Sequence, residues 1–224
     1  MTLPVKLAVF DCDGTIVDSQ HSIMACMAAA FSDNGLQPPG IAEVRRVVGL
    51  PLAQAIEVIA PEGAPISAMA EAYSRHWSEA RAQNALSEPL FPGILKVFED
   101  LMSSGWLLGV ATGKSMRGLE ATLGHHNIAS KFVTLQTADR ARGKPHPEML
   151  EFAMLETGAK PHETVMIGDT TFDMEMARSA GVRAVGVSWG YHAPVELLRS
   201  GAHVIAENMA ELAQLCEYEE EIAS

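Results

Sequence analysis

Short apolar runs separated by amphipathic stretches are the main pattern along this chain. Runs rich in Val, Leu and Ile that are bounded by turn residues predict buried β-strands. The clearest runs are Val5–Phe10, Trp106–Ala111 and Thr164–Ile167, and further candidates are Lys131–Gln136, Val182–Val187 and His203–Ile205. The clearest runs do not alternate cleanly between apolar and polar residues, which is typical of parallel strands that are covered on both faces.

Between these runs, apolar residues recur at helical spacing. A helix predicted over Gly93–Ser103 places four apolar residues on one face: Ile94, Val97, Phe98 and Leu101. Capping and breaking residues predict further helices over about 115–126, 147–157 and 170–181. The alternation of strand and helix predicts an α/β fold with a doubly wound (Rossmann-like) parallel sheet. Such sheets bind ligands at the carboxyl ends of their strands.

The stretch between the first two clear strands is much longer than a crossover connection. From Asp11 to Thr112 there are 112 − 11 = 101 positions, whereas a strand–helix–strand unit takes roughly 30 residues. The surplus contains no convincing strand and is typical of short helices: Ile23–Phe31, Ile41–Val48, Leu52–Ile59 and Ile66–Arg81. We therefore predict an α/β core of residues 1–17 and 87–224, with an inserted α-helical cap domain of residues 18–86 above the strand ends.

Composition and charge restrict the partners of the protein. The 224 residues include 16 Lys and Arg against 28 Asp and Glu, which gives a formal net charge of −12. This charge repels nucleic acids and anionic membranes, so we expect neither as a partner. There is no apolar run of roughly 18 residues and no signal-peptide pattern, and the three cysteines are too far apart for a disulfide framework. We expect a soluble, cytoplasmic protein with a solvated acidic tail at Glu217–Glu221; its oligomeric state is unknown.

Two pairs of carboxylates follow predicted strand ends. Asp11 and Asp13 come directly after the first strand, and Asp169 and Asp173 come after the strand that begins at Thr164. Crowded like charges cost free energy unless a cation is present, and oxygen ligands at this density suit Mg²⁺. The sequence therefore predicts that these carboxylates form a Mg²⁺ site at one edge of the sheet.

A cationic, donor-rich side is expected to face these carboxylates. Lys144 supplies a positive charge, and the backbone N–H groups around Thr112-Gly113 supply hydrogen-bond donors. A phosphoryl group fits between the two sides, because Mg²⁺ and a lysine neutralise its oxygens while a carboxylate attacks phosphorus. The clusters therefore favour phosphoryl chemistry.

Together these residues resemble the motifs of one superfamily. The matching segments are Asp11-Cys12-Asp13-Gly14-Thr15, Thr112, Gly143-Lys144-Pro145-His146-Pro147, and Gly168-Asp169 with Asp173. In this order, and at strand ends, they closely resemble the motifs of the haloacid dehalogenase superfamily over about Val5 to Gly190. The insertion point is similar to that of the subfamily with an α-helical cap, which includes phosphoglycolate phosphatases and β-phosphoglucomutase.

The resemblance implies a role for each matching residue of the core. Asp11 would be the nucleophile that forms an aspartyl-phosphate, and it would also bind Mg²⁺. Asp13 would act as general acid and then as general base, while its backbone carbonyl ligates the metal. Thr112 and the N–H of Gly113 would hold phosphate oxygens, and Lys144 would pair with both the phosphate and Asp11.

Further roles are implied for the second carboxylate pair and for the cap. Asp169 would be a direct Mg²⁺ ligand, and Asp173 would act through a water or orient the loop. In the cap, Arg45, Arg46 and the loop that starts at Gly49 resemble the substrate-specificity loop of helical-cap relatives. Arg46 and Gly49 are therefore candidate substrate contacts.

The leading hypothesis is a Mg²⁺-dependent phosphatase that hydrolyses a small phosphorylated metabolite, phosphoglycolate-like or a sugar phosphate, through an aspartyl-phosphate. Dehalogenases of the same superfamily typically lack the second carboxylate of the opening motif, so Asp13 favours a phosphoryl substrate. One alternative is a β-phosphoglucomutase-like intramolecular phosphotransferase, which would keep the aspartyl-phosphate long enough to return it to a sugar. Another is a non-catalytic phosphate-binding regulator, which would have no need of a general acid.

Overall fold

A six-stranded parallel sheet forms the centre of the protein. The computed structural model describes residues 4–217, and the expected acidic tail lies outside them apart from Glu217. The strands are β1 (Lys6–Phe10), β2 (Trp106–Thr112), β3 (Phe132–Thr137), β4 (Thr164–Gly168), β5 (Arg183–Val187) and β6 (Val204–Ala206). Their order in the sheet, β3-β2-β1-β4-β5-β6, confirms the predicted doubly wound α/β fold. The strand order reverses between β1 and β4, where such sheets form a ligand crevice.

Helices lie on both faces of this sheet and in the long segment after β1. Within residues 4–217 they are α1 (Gln20–Asp33), α2 (Ile41–Arg45), α3 (Leu52–Ile59), α4 (Ile66–Ala82), α5 (Ile94–Ser103), α6 (Met116–His125), α7 (Glu148–Thr157), α8 (Thr171–Ala180), α9 (Pro194–Ser200) and α10 (Met209–Glu217). None of these helices combines the length and the apolarity that a membrane crossing needs.

Alternate side chains of the central strand β1 belong to two different apolar layers. Ala8 and Phe10 pack with α5, α6 and α10 on one face, and Leu7 and Val9 pack with α7, α8 and α9 on the other. All four side chains are fully buried. Because successive residues of a strand point to opposite faces, β1 can be apolar throughout, and its first polar side chain comes where the strand ends.

The structure shortens one predicted helix. The apolar pattern predicts a helix over Ile41–Val48, but α2 ends at Arg45. The N–H of Val47 donates to the carbonyl of Val44 (3.1 Å), so the chain tightens into turns with three-residue spacing. These turns lead to Gly49, whose φ of +99° lies in the region that favours glycine. Val47 and Val48 are buried nonetheless, which is why their apolar character suggested a continuing helix.

Helices α1 to α4 form a unit with an apolar core of its own, which we call the cap. Buried side chains from all four helices meet there: Met27, Phe31, Val44, Ile56 and Met69. The chain enters and leaves this unit at neighbouring points, since the Ser22 hydroxyl donates to the Ser87 carbonyl (3.0 Å) and accepts from the Ser87 N–H (2.8 Å). We propose that this unit is the expected cap domain; the boundaries at residues 18 and 86 stay a prediction.

The cap rests directly on loops of the α/β core. Arg45 donates hydrogen bonds to the carbonyls of Gly190 (2.9 Å) and Tyr191 (2.8 Å), which follow β5. A Cβ atom at Gly113 would lie 2.6 Å from the carbonyl oxygen of Leu50 in the cap. The closeness of these two backbones shows that the cap loop covers the loop after β2.

Candidate active site

The end of β1 supplies two of the predicted carboxylates. Asp11 and Asp13 are 1% and 8% exposed, and Gly14 follows them with a φ of +85°. A Cβ atom at Gly14 would lie 2.3 Å from Oδ2 of Asp169, so the turn can approach that carboxylate only because the residue is glycine. The end of β1 is thereby packed closely against the end of β4.

Lys144 lies between two buried carboxylates. Its Nζ atom is 2.7 Å from Oδ1 of Asp11 and 2.6 Å from Oδ1 of Asp173, and all three side chains are at most 1% exposed. Burial alone would lower the pKa of Lys144, but the carboxylates of Asp11 and Asp173 outweigh it and hold that pKa above its ordinary value. Lys144 is therefore a permanently charged group inside the site.

The carboxylates themselves are strongly perturbed. Burial raises the pKa of Asp11 to about 7, although the charge of Lys144 opposes the shift. Burial, followed by the neighbouring charges of Asp11 and Asp173, raises the pKa of Asp169 well above its ordinary value. Buried carboxylates with these neighbours need a further cation before all of them can be charged together at neutral pH.

Three carboxylates fit a divalent cation. One oxygen each from Asp11, Asp169 and Asp173 lie within 4.8 Å of one another, and all three residues are buried. Oδ2 of Asp11 is buried and has no hydrogen-bond partner within residues 4–217. An unpartnered buried oxygen beside two further carboxylates suits a hard cation such as Mg²⁺. The chemistry of this donor set therefore agrees with the predicted metal site, although it does not identify the ion.

The hydrogen bonds of Asp169 and Asp173 show how each is oriented. Asp169 accepts from the Thr15 hydroxyl (2.8 Å) and from the Tyr191 N–H (2.8 Å), so both of its oxygens are held. Oδ2 of Asp173 accepts from the N–H (3.0 Å) and the hydroxyl (2.7 Å) of Thr170, at the start of α8. The carboxylate of Asp173 is therefore tied to the residue that follows Asp169; its role at the metal, through a water or in orienting this loop, stays a prediction.

The side chain of Asp13 lies outside the three-carboxylate cluster. Its Oδ1 atom accepts a short hydrogen bond from the Ser19 hydroxyl and lies 2.9 Å from Nζ of Lys114. Its carboxylate is thus oriented separately from that cluster, and its role in proton transfer stays a prediction. The metal contact through its backbone carbonyl stays a prediction.

The loop after β2 lies beside these carboxylates and beneath the cap. Thr112 is 1% exposed, and its hydroxyl accepts from the N–H of Lys114 (3.3 Å). Gly113 lies directly under the carbonyls of Gly49 and Leu50, which a Cβ atom would meet at 2.8 and 2.6 Å. The position of Gly113 has little room for a larger residue. Phosphate contacts by Thr112 and Gly113 stay predictions.

A buried network that the sequence did not predict joins the cap to the core. Glu88 is 7% exposed and lies 2.7 Å from Arg81 of α4 and 3.3 Å from Nζ of Lys114. It also accepts a hydrogen bond from the Thr122 hydroxyl of α6 (3.2 Å). Lys114 follows the predicted phosphate-binding pair directly, which was a usable signal, but nothing in the sequence around Glu88 marks it as buried.

A cavity of about 630 Å³ lies between the cap and the core. Asp13, Gly113 and Lys114 line its core side, and Gly49 lies at the cap loop beside them. Arg46 is exposed and does not line this cavity, whereas the neighbouring Arg45 binds the loop after β5. The structure thus brings Gly49 to the site and leaves Arg46 away from it; substrate contact by either residue stays a prediction.

Comparisons with known proteins establish the family and the fold. Residues 8–187 match the haloacid dehalogenase-like hydrolase family. The chain is 34% identical over 209 residues to the "probable phosphatase IndB" of Dickeya dadantii, with 92% of this chain and 91% of the relative covered. It is 30% identical over 217 residues to the N-acetylmuramic acid 6-phosphate phosphatase of Pseudomonas aeruginosa (93% of each chain), and 31% identical over 212 residues to the phosphoglycolate phosphatase of Caulobacter vibrioides (92% and 89%).

Solved structures are similar over nearly the whole chain. A haloacid dehalogenase-like hydrolase from Streptococcus pneumoniae superposes with a TM-score of 0.83 at 24% identity, covering 94% of this chain and 98% of the other. A predicted phosphatase from Clostridium acetobutylicum gives a TM-score of 0.84 at 23% identity, covering 96% and 100%. These likenesses establish the fold, and the sequence match establishes the family. The chain belongs to the haloacid dehalogenase-like hydrolases.

Proposed function

We propose that this protein is a Mg²⁺-dependent phosphatase that hydrolyses a small phosphorylated metabolite through an aspartyl-phosphate on Asp11. The family match and the phosphatase names of the relatives support the enzyme class, a phosphoric monoester hydrolase of the haloacid dehalogenase superfamily. The metal and the mechanism are the proposed part. The observation that carries them is the buried, unpartnered Oδ2 of Asp11, which lies among Lys144, Asp169 and Asp173.

Asp11 would attack the phosphorus atom of the bound ester. As the new bond between phosphorus and the carboxylate oxygen forms, the bond between phosphorus and the ester oxygen breaks. Asp13, protonated at this stage, would give its proton to the departing alkoxide; the Ser19 hydroxyl and Lys114 both contact Oδ1 and orient the group, so Oδ2 would carry that proton. The products of this half-reaction are the free alcohol and a phosphorylated Asp11.

Water would then release the phosphate. Asp13, now a carboxylate, would take a proton from a water molecule while the oxygen of that water attacks phosphorus. The bond between phosphorus and the Asp11 oxygen would then break. Lys144, 2.7 Å from Asp11, would balance negative charge on the phosphoryl oxygens in both steps. The cap loop at Gly49 covers the loop at Gly113, so a closed cap would keep bulk water away during the first step.

Asp11 and Asp169 would hold Mg²⁺, and Asp173 would hold it through a water or orient the neighbouring loop. When bound, the ion neutralises phosphoryl oxygens and allows the crowded carboxylates to stay charged together. We propose a phosphate ester of a small molecule as the substrate, and the cytoplasmic location expected from the sequence stays a prediction. The cap would select the organic part of the ester.

The test is phosphate release from a panel of phosphorylated metabolites, with Mg²⁺ and with chelator. We expect Mg²⁺-dependent turnover that Asp11→Asn lowers by at least about 1,000-fold, since the nucleophile is lost. Glu120→Gln, on the exposed surface of α6, is the matched carboxylate-to-amide control and should retain full activity. Undiminished hydrolysis by Asp11→Asn would refute the nucleophile, and phosphate release that is equal in chelator would refute the metal. An aspartyl-phosphate that survives to phosphorylate a sugar would favour the mutase alternative.

A further inference from the structure

The chemistry of the cavity between the cap and the core differs from that expected for a very small, acidic substrate. Its volume of about 630 Å³ falls in the middle of the range of about 300–1,000 Å³ that holds drug-sized ligands. Glycolate is one of the smallest organic acids and would leave most of this space unfilled. Asp13, the proposed general acid, and Gly113, a predicted phosphate contact, both line the cavity, so the organic part of the ester would face it in the proposed reaction.

The wall of the cavity that the cap provides is apolar and aromatic. Tyr73 and Trp77, one turn apart on α4, are stacked with ring centroids 5.7 Å apart and an interplanar angle of 19°. Aliphatic side chains from the other cap helices complete this wall, among them Ile23, Val44 and Leu52. Apolar surface of this kind stabilises a ligand in proportion to the apolar area that both lose to water.

The cationic side chains beside the cavity are already paired. Lys114 lies 2.9 Å from Asp13 and 3.3 Å from Glu88, and Arg81 lies 2.7 Å from Glu88. Both cationic groups therefore already have carboxyl partners, and both of them contact Glu88. Arg117 also lines the cavity, but it is exposed at the rim. A carboxylate on a small substrate would find no buried, uncommitted cation among the residues that the structure describes.

Two hydroxyl groups of the lining, those of Ser74 and Ser78, already donate hydrogen bonds within the protein. The Ser74 hydroxyl donates to the carbonyl of Ala70 (2.9 Å), and the Ser78 hydroxyl donates to the carbonyl of Ser74 (2.8 Å), both within α4. A sugar would bury several hydroxyls against this wall, and each unpaired one costs about 1–3 kcal/mol. The wall therefore suits a group with few polar atoms better than a carbohydrate.

We infer that the preferred substrate is a phosphate monoester whose organic part is bulky and largely apolar, such as an aromatic ring system held against Tyr73 and Trp77. This inference rests on the proposed phosphatase function and replaces the phosphoglycolate or sugar phosphate expected from the sequence with a different organic group. The phosphate would lie at Asp11 and Lys144, and the ring system would fill the space beneath α4. Lys114 contacts both the aromatic wall and Asp13. Its Nζ atom lies 4.6 Å from the Trp77 ring centroid and 2.9 Å from Oδ1 of Asp13.

The test compares esters whose leaving alcohols match. Ethyl phosphate and 2-(1-naphthyl)ethyl phosphate both release a primary alcohol, so their intrinsic reactivity is similar and their ratio of kcat/KM reports the cavity. We expect the naphthyl ester to exceed ethyl phosphate by about 10- to 100-fold from the apolar area it buries. It should also exceed phosphoglycolate and glucose 6-phosphate. A higher kcat/KM for either of the last two would overturn the inference.

Variants then locate the effect in this cavity. Trp77→Ala should lower the naphthyl-to-ethyl ratio by about tenfold, and Trp77→Phe should restore most of it. Ala121→Phe, on α6, fills part of the cavity and should also lower the ratio. Because this variant leaves Tyr73 and Trp77 unchanged, it tests the cavity even where Trp77→Ala loosens the cap. Val58→Ala, on an exposed face of α3, is the control and should leave the ratio unchanged.

The two proposals fail in different ways. A ratio that neither Trp77→Ala nor Ala121→Phe changes would overturn the inference, while Asp11-dependent hydrolysis would leave the phosphatase assignment intact. Absence of Mg²⁺-dependent release from every ester, the small ones included, would overturn the proposed function and this inference with it.

Discussion

The contact between Gly143 and the cap offers a sharp test of cap closure. A Cβ atom at Gly143, one residue before Lys144, would lie 2.1 Å from Cγ and 2.7 Å from Cδ of Pro51 in the cap loop. Ordinary contact begins at 3.4 Å, so Gly143→Ala requires the two loops to separate by about 3.4 − 2.1 = 1.3 Å. Gly143 lacks a positive φ, so the variant tests this contact rather than backbone conformation.

The separation must disturb one of two parts of the site. If the core loop yields, Lys144 moves from its position 2.7 Å from Asp11; if the cap loop yields, the cap no longer closes. A misplacement of about 1 Å can cost roughly 100-fold in rate. We therefore expect Gly143→Ala to lower kcat/KM by about 100-fold, which corresponds to about 2.7 kcal/mol.

A second substitution should reverse the loss. Pro51→Ala removes Cγ and Cδ, and the remaining Cβ lies at an ordinary 3.6 Å from the added methyl. The assay is phosphate release by the wild type, both single variants and the double variant, analysed as a double-mutant cycle. Gly124→Ala is the matched control, since its added Cβ meets no atom within 4 Å and it should keep full activity. A double variant as slow as Gly143→Ala, or a fully active Gly143→Ala, would refute the reasoning.

Three further predictions concern charge, pH and the seating of the cap. With Mg²⁺ chelated, Lys144→Met should lower the free energy of unfolding in urea by about 3 kcal/mol, because a buried ion pair loses its cation; an unchanged midpoint would contradict this. Burial holds the pKa of His192 below its ordinary 6.5, and its Nδ1 accepts from the N–H of Thr171 (3.1 Å), so the unfolded chain binds the proton more readily. The His192 contribution to the free energy of unfolding should therefore fall as the pH drops below about 6.5, whereas the raised pKa of Asp11 contributes in the opposite direction. In urea titrations from about pH 7.5 to 5, the wild type should lose stability relative to His192→Gln; an equal slope in the two proteins would count against it. Arg45→Ala removes two hydrogen bonds to the core and should raise KM about tenfold and speed proteolysis at the cap junction; wild-type values for both would show that Arg45 does not seat the cap.

Strand positions follow closely from the sequence because their limits are set by local chemistry. The run predicted over Trp106–Ala111 becomes β2, Trp106–Thr112, and the run predicted over Thr164–Ile167 becomes β4, Thr164–Gly168. In each case a buried apolar run ends at polar residues or glycine, and the strand ends with it. The predicted helix over Ile41–Val48 fails at its end because burial in turns gives the same apolar pattern as burial in a helix.

The candidate site also contains some groups that the sequence could place and others that it could not. Asp11, Asp169 and Asp173 could be placed together because they follow central parallel strands, whose carboxyl ends meet. The pairing of Glu88 with Arg81 and Lys114 could not be predicted, since it depends on how the end of α4 docks against the start of α6. Sequence spacing reports such docking poorly, because the partners lie on different units and no periodicity connects them.

The neighbouring entry and exit of the cap have an evolutionary consequence. Ser22 and Ser87 hydrogen-bond each other, so the two chain crossings occupy one small area of the core. A different helical insert with equally close ends can be grafted at that point without shifting the pairing of any strand. With the proposed division of labour, exchanging one contiguous stretch of the gene would change the substrate range and leave the proposed catalytic residues of the core in place.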